Sequence, residues 1–478
     1  AEGLGRLVHG GSAEMTDTFT RRTLIAAATA GPLLAVPSRA AEAPVFDVHD
    51  HGAKGDGVTP DTAAIQRAID AAAAAGQGAR VLLRAGRKYL TGPVTLKGGI
   101  DFHLQGDAAL LVSVRAEDYP HPLAGVLNAN GADGLTISGT GTIDGRSPEF
   151  MESYDAAGEW WVPRSFRPRL VVLENCANLR IRDITLRRAP SWTVHLVGCR
   201  KVLVDHVKIF NQMDVPNCDG IDPDHCQDVE IRDCHIVCGD DAIVIKATER
   251  FPQYGPSRNI WVHDCVLETQ DSGLKIGTET VQDIHDILFE RCEIKQGCRG
   301  LTIQLRDQGN VYNILFRNIR FTSRYFSAPW WGRGEAISFT AIPRTAETRL
   351  GRIYNVKVEN VSGRAENSIR IDGHARGHVS DIVLEKVDVT FERWTKYPGG
   401  VFDNRPTKVA TEIEPHPTAG ISIRRAERVV LRDCAVRWGK ERPDYFSHAL
   451  HAEDAPGLVR ERFTGEAAHA GLEAVRIE

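Results

Sequence analysis

The chain has 478 residues, 42% apolar and 25% charged, an ordinary globular balance that excludes a disordered chain. Lys plus Arg number 58 against 63 Asp plus Glu, a net charge of -5, and no basic block of five or more occurs, so no nucleic-acid partner is expected. No apolar run reaches the 18 or so residues of a membrane span, and ten cysteines without a CxxC pair or Cys/His zinc spacing exclude a disulfide scaffold and a zinc finger.

From Met15 the chain reads MTDTFTRRTLIAAATAGPLLAVPSRAAEA. Arg21 and Arg22 precede a short apolar stretch, Leu24 to Val36, and small residues follow. That layout predicts a twin-arginine export signal over residues 15–43, cleaved between Ala40 and Ala43. Residues 1–14 are expected to be an extension or scar ahead of it. The implied location is the periplasm or outside of a bacterium, with no membrane contact once the signal is removed. Residues 44–478 contain no linker-like break and are expected to form a single domain.

The Ala-rich segment DTAAIQRAIDAAAAA (61–75) predicts an amphipathic helix that caps an open apolar end. Beyond it an eight-residue pattern recurs: apolar-x-apolar-x-polar-(Cys/Val/Ile)-x-apolar. Copies begin at Leu179, Val202, Val229, Ile260, Ile287, Ile314, Val356, Ile382 and Val429, and Gly363 breaks the last position of one. Short alternating segments mark strands, and a repeat in the twenties of residues marks a solenoid. A second strand column runs between the copies, starting at Trp192, Asp219, Asp241, Ser272, Arg299, Glu335 and Asn367. Two columns per turn joined by polar bends predict an all-β, right-handed parallel β-helix. Cys234, Cys265, Cys292 and Cys434 share one pattern position and are expected to stack as free thiols inside the coil.

Asp219 and Asp241 hold the same column position on adjacent turns, with Asp240 beside them. Stacking at about 4.8 Å per turn brings three carboxylates together, and they do not all ionise near neutrality. One protonated acid beside ionised carboxylates suits glycosidic cleavage. The second column positions, Gly220, Ala242, Gly273, Gly300 and Ala336, are expected to leave a bare outward floor for a sugar ring. Asp183, Asp233 and Asp264, in contrast, read as turn residues.

The segment FDVHDHGAKGDGVTPDTAAIQRAID (46–70) resembles the N-terminal signature of pectin-degrading β-helix proteins. GTGTIDG (139–145), NCDG (217–220) and GDD (239–241) are similar to glycoside hydrolase family 28, the polygalacturonase family, over roughly residues 44–375. The resemblance implies that Asp240 is the general acid, that Asp219 and Asp241 hold the water of an inverting reaction, and that Asn217 is the Asn of the family's NxD motif. No cofactor or metal is implied, and the partner is a polysaccharide or oligosaccharide.

Two departures stand out. The family's Gly-His-Gly is replaced by Asp271-Ser272-Gly273, and its uronate-gripping Arg-x-Lys pair by Thr302 and Gln304. Lys275, Arg299, Arg306 and Lys246 are alternative cations nearby. Asn217, Asp271, Ser272, Lys275, Arg299, Thr302, Gln304 and Glu335 are the expected substrate contacts, with Trp330 and Trp331 expected to stack exposed on sugar faces. Unsubstituted polygalacturonate is therefore expected to be a poor substrate. The competing readings are a calcium-dependent β-helix lyase and a non-catalytic carbohydrate-binding solenoid.

Overall fold

The eight-residue pattern changes parity half-way: its apolar side chains point inward at positions one and three, then at six and eight. An alternating strand does this only by bending. In the computed structural model, which describes residues 43–121 and 124–478, the bend lies at position five. Asp183, His206, Asp233, Asp264, Arg291, Asn318, Asn360, Lys386 and Asp433 all sit there with left-handed φ between 51° and 65°. Asp and Asn tolerate that conformation better than most L-residues. One copy thus makes two strand segments, as in Gln227–Arg232 and His235–Cys238. The expected two columns per turn become three, which is a correction to the sequence reading.

The remaining column is the second one read from the sequence. Its strands are β1 (Val194–Val197), β2 (Ile221–Asp224), β3 (Ile243–Ala247), β4 (Ser272–Thr280), β5 (Arg299–Leu305), β6 (Glu335–Ala341) and β7 (Asn367–Gly373). They pair in parallel, Ile221 opposite Ile243, Ile243 opposite Leu274, Leu274 opposite Leu301, and Leu301 opposite Ile337. This is the predicted register, and it places Trp192, Asp219, Asp241, Ser272, Arg299 and Glu335 in one row. The strands belong to a 13-stranded sheet, and the other two columns form one folded 24-stranded sheet. The architecture is a right-handed parallel β-helix.

Each coil buries its inward row on the next. Ile221, Ile243, Leu274, Leu301, Ile337 and Ile369 are at most 1% exposed, and each such side chain contributes about 1.5–3 kcal/mol of transfer free energy. Phe289 and Phe316 stack on adjacent coils with ring centroids 4.9 Å apart. All ten cysteines are free and buried, among them the predicted stack. Helix α1 (Thr62–Ala75) turns Ala64, Ile65, Ala68, Ile69 and Ala72 inward and packs on Val45–Asp47 and Ala79–Leu83 at one end of the coil, so it caps as expected.

The small-residue row is not an outward floor. A Cβ on Gly220 would meet Ile236, one on Gly273 would meet Ile294, and one on Gly300 would meet Phe321. Ala242 and Ala336 likewise belong to the buried core. The row lies on the inner side of a corner, where neighbouring carbonyl oxygens leave no room for larger side chains.

Pro44–Glu478 form one compact unit. The leader expected over residues 1–43 lies, except for Ala43, outside the described residues. Among the described residues, no helix is long and apolar enough to cross a membrane.

Candidate active site

The acids converge because register and loop chemistry agree. Asp219 and Asp241 precede β2 and β3 at the same row position. Asp240 is brought beside them by the tight turn at Gly239, where a Cβ would lie 2.2 Å from the Val215 carbonyl oxygen. No other residue fits there without moving the 213–216 backbone. One carboxylate oxygen from each of Asp219, Asp240 and Asp241 lies within 4.8 Å of the others. Asp219 and Asp241 are each 2% exposed and Asp271 4%, while Asp240 keeps part of its surface on the cavity.

Hydrogen bonds hold the acids in different states. Asp240 Oδ1 accepts the Asp241 amide at 3.0 Å and its Oδ2 the Asn217 amide at 3.1 Å. Asn217 is itself held by Arg167 Nη2, which donates to its Oδ1 at 3.0 Å. Asp241 accepts Lys275 Nζ at 2.7 Å and the Ser272 amide at 3.3 Å. Lys246 Nζ lies 3.6 Å from Asp219, 3.6 Å from Asp222 and 3.5 Å from Glu279. Asp219 Oδ1 and both oxygens of Asp222 are buried without a hydrogen-bond partner.

Burial first, then the charges of Asp219 and Asp241, push the Asp240 carboxyl up to about 7. Asp219 is driven well above the carboxylate range by burial and by Asp222, and Asp271 by burial and by Asp241. Burial works against the Lys275 cation, but Asp241 and Asp271 outweigh it and raise its pKa. The cluster therefore holds protonated and ionised carboxyls side by side, with a lysine fixed on one of them.

These side chains face a cavity of about 460 Å³. Of the predicted residues, Asn217, Asp219, Asp240, Asp241, Lys246, Asp271, Lys275, Trp330 and Trp331 line it. The others do not. Ser272 is fully buried, and its hydroxyl donates to Asp271 Oδ1 at 2.9 Å. Arg299 and Glu335 are also fully buried and lie 3.7 Å apart, with Arg299 3.6 Å from Asp271. Arg299 is a strut behind the site, not a substrate contact. Thr302 and Gln304 point outward as predicted, yet both are buried. The chain around Asp403–Pro406 crosses this face, its carbonyls at Asp403 and Asn404 accepting from Arg299 and Arg306.

Trp330 corrects another expectation. It is 3% exposed and packs with Cys298, Phe326 and Trp160, so it anchors its loop instead of standing exposed. Trp331 is partly exposed and lies near Arg405, 5.7 Å from its ring centroid.

The structure adds residues that pattern reasoning passed over. Trp192 lines the cavity one coil before Asp219, with Arg169 and Lys246 at 4.1 and 4.3 Å from its ring centroid. Its place in the same row as Asp219 was a usable signal. His195, lowered to about 4 by burial, is neutral. Its Nδ1 faces Arg169 at 2.6 Å and its Nε2 faces Asp224 at 3.1 Å, so the neutral ring accepts from Arg169 and donates to Asp224. Glu279 and Arg344 line the far side. Trp160 comes from an antiparallel hairpin, Met151–Asp155 with Trp160–Pro163, for whose position no repeat gives a cue.

Residues 79–397 match the family model described as glycosyl hydrolases family 28. A probable polygalacturonase of Vitis vinifera is 30% identical over 272 residues, 50% of this chain and 53% of the relative. The chain spans 53–63% of the length of the first relatives it matches. The family 28 exopolygalacturonase of Yersinia enterocolitica superposes with a TM-score of 0.66 at 20% identity, over 88% of this chain and 78% of that one. The hyperthermoactive exopolygalacturonase of Thermotoga maritima gives a TM-score of 0.63 at 18% identity, over 84% and 93%. At such identities these structures establish the fold.

Proposed function

The chain belongs to glycosyl hydrolases family 28, and from that premise we propose that it hydrolyses glycosidic bonds of a pectin-like or other plant or microbial polysaccharide, or of its oligosaccharides. The observation that carries the proposal is Asp240, pushed up to about 7 beside the ion-paired Asp241. Asp240 protonates the departing glycosidic oxygen. Asp219 and Asp241 orient a water, and Asp241, ion-paired with Lys275, takes its proton as the water oxygen attacks the anomeric carbon. The C–O bond to the leaving sugar breaks, the bond to water forms, and the anomeric centre inverts. The domain doing this is residues 44–478, exported by the twin-arginine leader to the periplasm or beyond.

A retaining double displacement is the second reading. Inverting pairs usually stand about 6.5–9.5 Å apart and retaining pairs about 5–5.5 Å, and one oxygen of each of these acids lies within 4.8 Å of the others, short of the inverting spacing. Proton NMR of the first product anomer, on a substrate found by a reducing-sugar screen, decides between them. The inverted anomer at the earliest time supports the proposal, the retained anomer supports the second reading, and an unsaturated, ultraviolet-absorbing product would show a lyase.

A further inference from the structure

We propose that the cavity takes a single uncharged sugar residue, a hexose or 6-deoxyhexose, presented at a chain end. This rests on the hydrolase reading above and deepens it in two respects, charge and access.

Charge comes first. Five carboxyls line the cavity, Asp219, Asp240, Asp241, Asp271 and Glu279, against three cations, Lys246, Lys275 and Arg344. Each cation is already engaged. Lys275 holds Asp241 at 2.7 Å, Lys246 stands 3.5 Å from Glu279 and 3.6 Å from Asp219, and Arg344 donates to Asp307 at 2.7 Å and to the Thr278 carbonyl at 2.7 Å. A uronate carboxylate entering here would lose water and find each of these cations already paired. Sugar hydroxyls meet the opposite situation. Asp219 Oδ1 makes no hydrogen bond and Glu279 Oε2 has only the Lys246 ammonium at 3.5 Å, so both keep capacity for a sugar hydroxyl. The other walls are Trp160, Trp192, Trp330, Trp331 and four prolines, surfaces suited to the C–H faces of a pyranose.

Access is limited at both ends of the outward sheet face. Along β5 to β7 the outward side chains Thr302, Gln304, Ser338, Thr340 and Arg370 are all 2% exposed or less. On β1, His195 is 1% exposed, with Phe251 6.2 Å from its ring. From this sheet the cavity is lined mainly by β2 to β4 and the residues just before them, Asp219, Asp241, Lys246, Asp271, Lys275 and Glu279, three strands whose outer members lie about 10 Å apart at 4.8 Å per strand. The side is bridged as well. The tip of the 151–163 hairpin is tied down by Ser327 Oγ donating to the Gly158 carbonyl at 2.6 Å, by Tyr397 Oη on Glu159 at 2.5 Å, and by the Lys396–Glu159 ion pair. A polymer lying along the coil axis has no path through, whereas a chain end entering from above does.

Reduced tetrasaccharides that differ only in their terminal residue test this: neutral hexose, 6-deoxyhexose, galacturonate and glucosamine. Chromatography of the products gives kcat/KM. In parallel the Asp240→Asn protein is titrated calorimetrically with the corresponding methyl glycosides, so binding is read without turnover. The neutral termini are expected to exceed the uronate by roughly tenfold or more, the size of one missing charge-assisted contact, with monosaccharide as the sole early product. Equal or better turnover or binding of the uronate or amino sugar overturns the charge argument. Internal fragments at the first time point overturn the chain-end argument. Release of no sugar from any substrate by the wild-type protein refutes the hydrolase reading instead, and the titration still decides which terminus fits.

Discussion

Aspartates stack on two faces of this coil, and they behave in opposite ways. On the outside of the coil Asp205, Asp264, Asp381 and Asp433 each receive an arginine from a later coil: Arg232 at 3.1 Å, Arg291 at 2.9 Å, Arg428 at 2.7 Å and Arg462 at 2.5 Å. Asp264, 37% exposed at its side chain, is held down to about 2, chiefly by its hydrogen bond from Arg291. At the cavity Asp219, Asp240 and Asp271 are raised instead, in each case first by burial and then by another carboxylate. The residue type and the stacking distance are shared. What differs is water and the number of cations per acid, and those two quantities separate a structural ladder from a reactive one.

The largest expected effect comes from removing the raised proton. Asp240→Asn keeps the shape but not the acid, and should lower kcat by about 10²–10⁴-fold with an unchanged melting temperature. Activity within a few fold of wild type would erase the distinction between the two ladders. The wild-type pH profile sharpens it: the working form of Asp240 is protonated, so kcat should fall as pH rises through about 7. An alkaline limb near pH 4, the ordinary carboxyl range, would place Asp240 with the acids on the outside of the coil.

Next comes Lys275→Met. The variant strips Asp241 of its counter-ion and leaves a buried charge unpaired, a change that typically costs about 3–5 kcal/mol of stability. Lys275 also holds the Asp240 carboxyl down, so its loss should move the alkaline limb to higher pH in whatever protein remains folded. A limb that stays in place would show that Lys275 acts on packing alone.

Asp264→Asn on the outside of the coil should cost only about 0.2–1 kcal/mol, as exposed pairs do, and leave turnover unchanged. The folded pKa of Asp264 lies below its ordinary value, so its contribution is present at neutral pH and is lost as pH falls from about 4 toward about 2. Denaturation midpoints measured across that window for both proteins should converge at the acid end. A drop in turnover equal to that of Asp240→Asn would contradict the comparison.

Chelation should have the smallest effect, none. Lys275 at 2.7 Å and Lys246 at 3.6 Å already supply positive charge to the acid group. Turnover that disappears in EDTA and returns with calcium would move the function to the lyase reading.

Much of this was legible in the sequence because a solenoid repeats one short-range rule. Alternation set the inward rows, the repeat set which residues share a row, and Asp219 over Asp241 followed from counting. Even the third column was written there, as the parity change at position five, although an eight-residue average conceals it. The small-residue row misled because Gly and Ala at a strand start look the same whether they face solvent or the inside of a corner; only the position of Ile236, Ile294 and Phe321 decides.

The cavity's shape belongs to the tertiary structure. The 151–163 hairpin, the 324–334 loop and the chain over residues 403–407 lie outside the repeat, so no periodicity says where they dock. They buried Thr302 and Gln304, turned Trp330 into an anchor and hid Arg299 behind the acids. Residue identity and register therefore determined which groups could react, because stacking is local and periodic. Long-range contacts between irregular segments decided which of them meet the cavity, because those contacts depend on three-dimensional packing that sequence spacing does not encode.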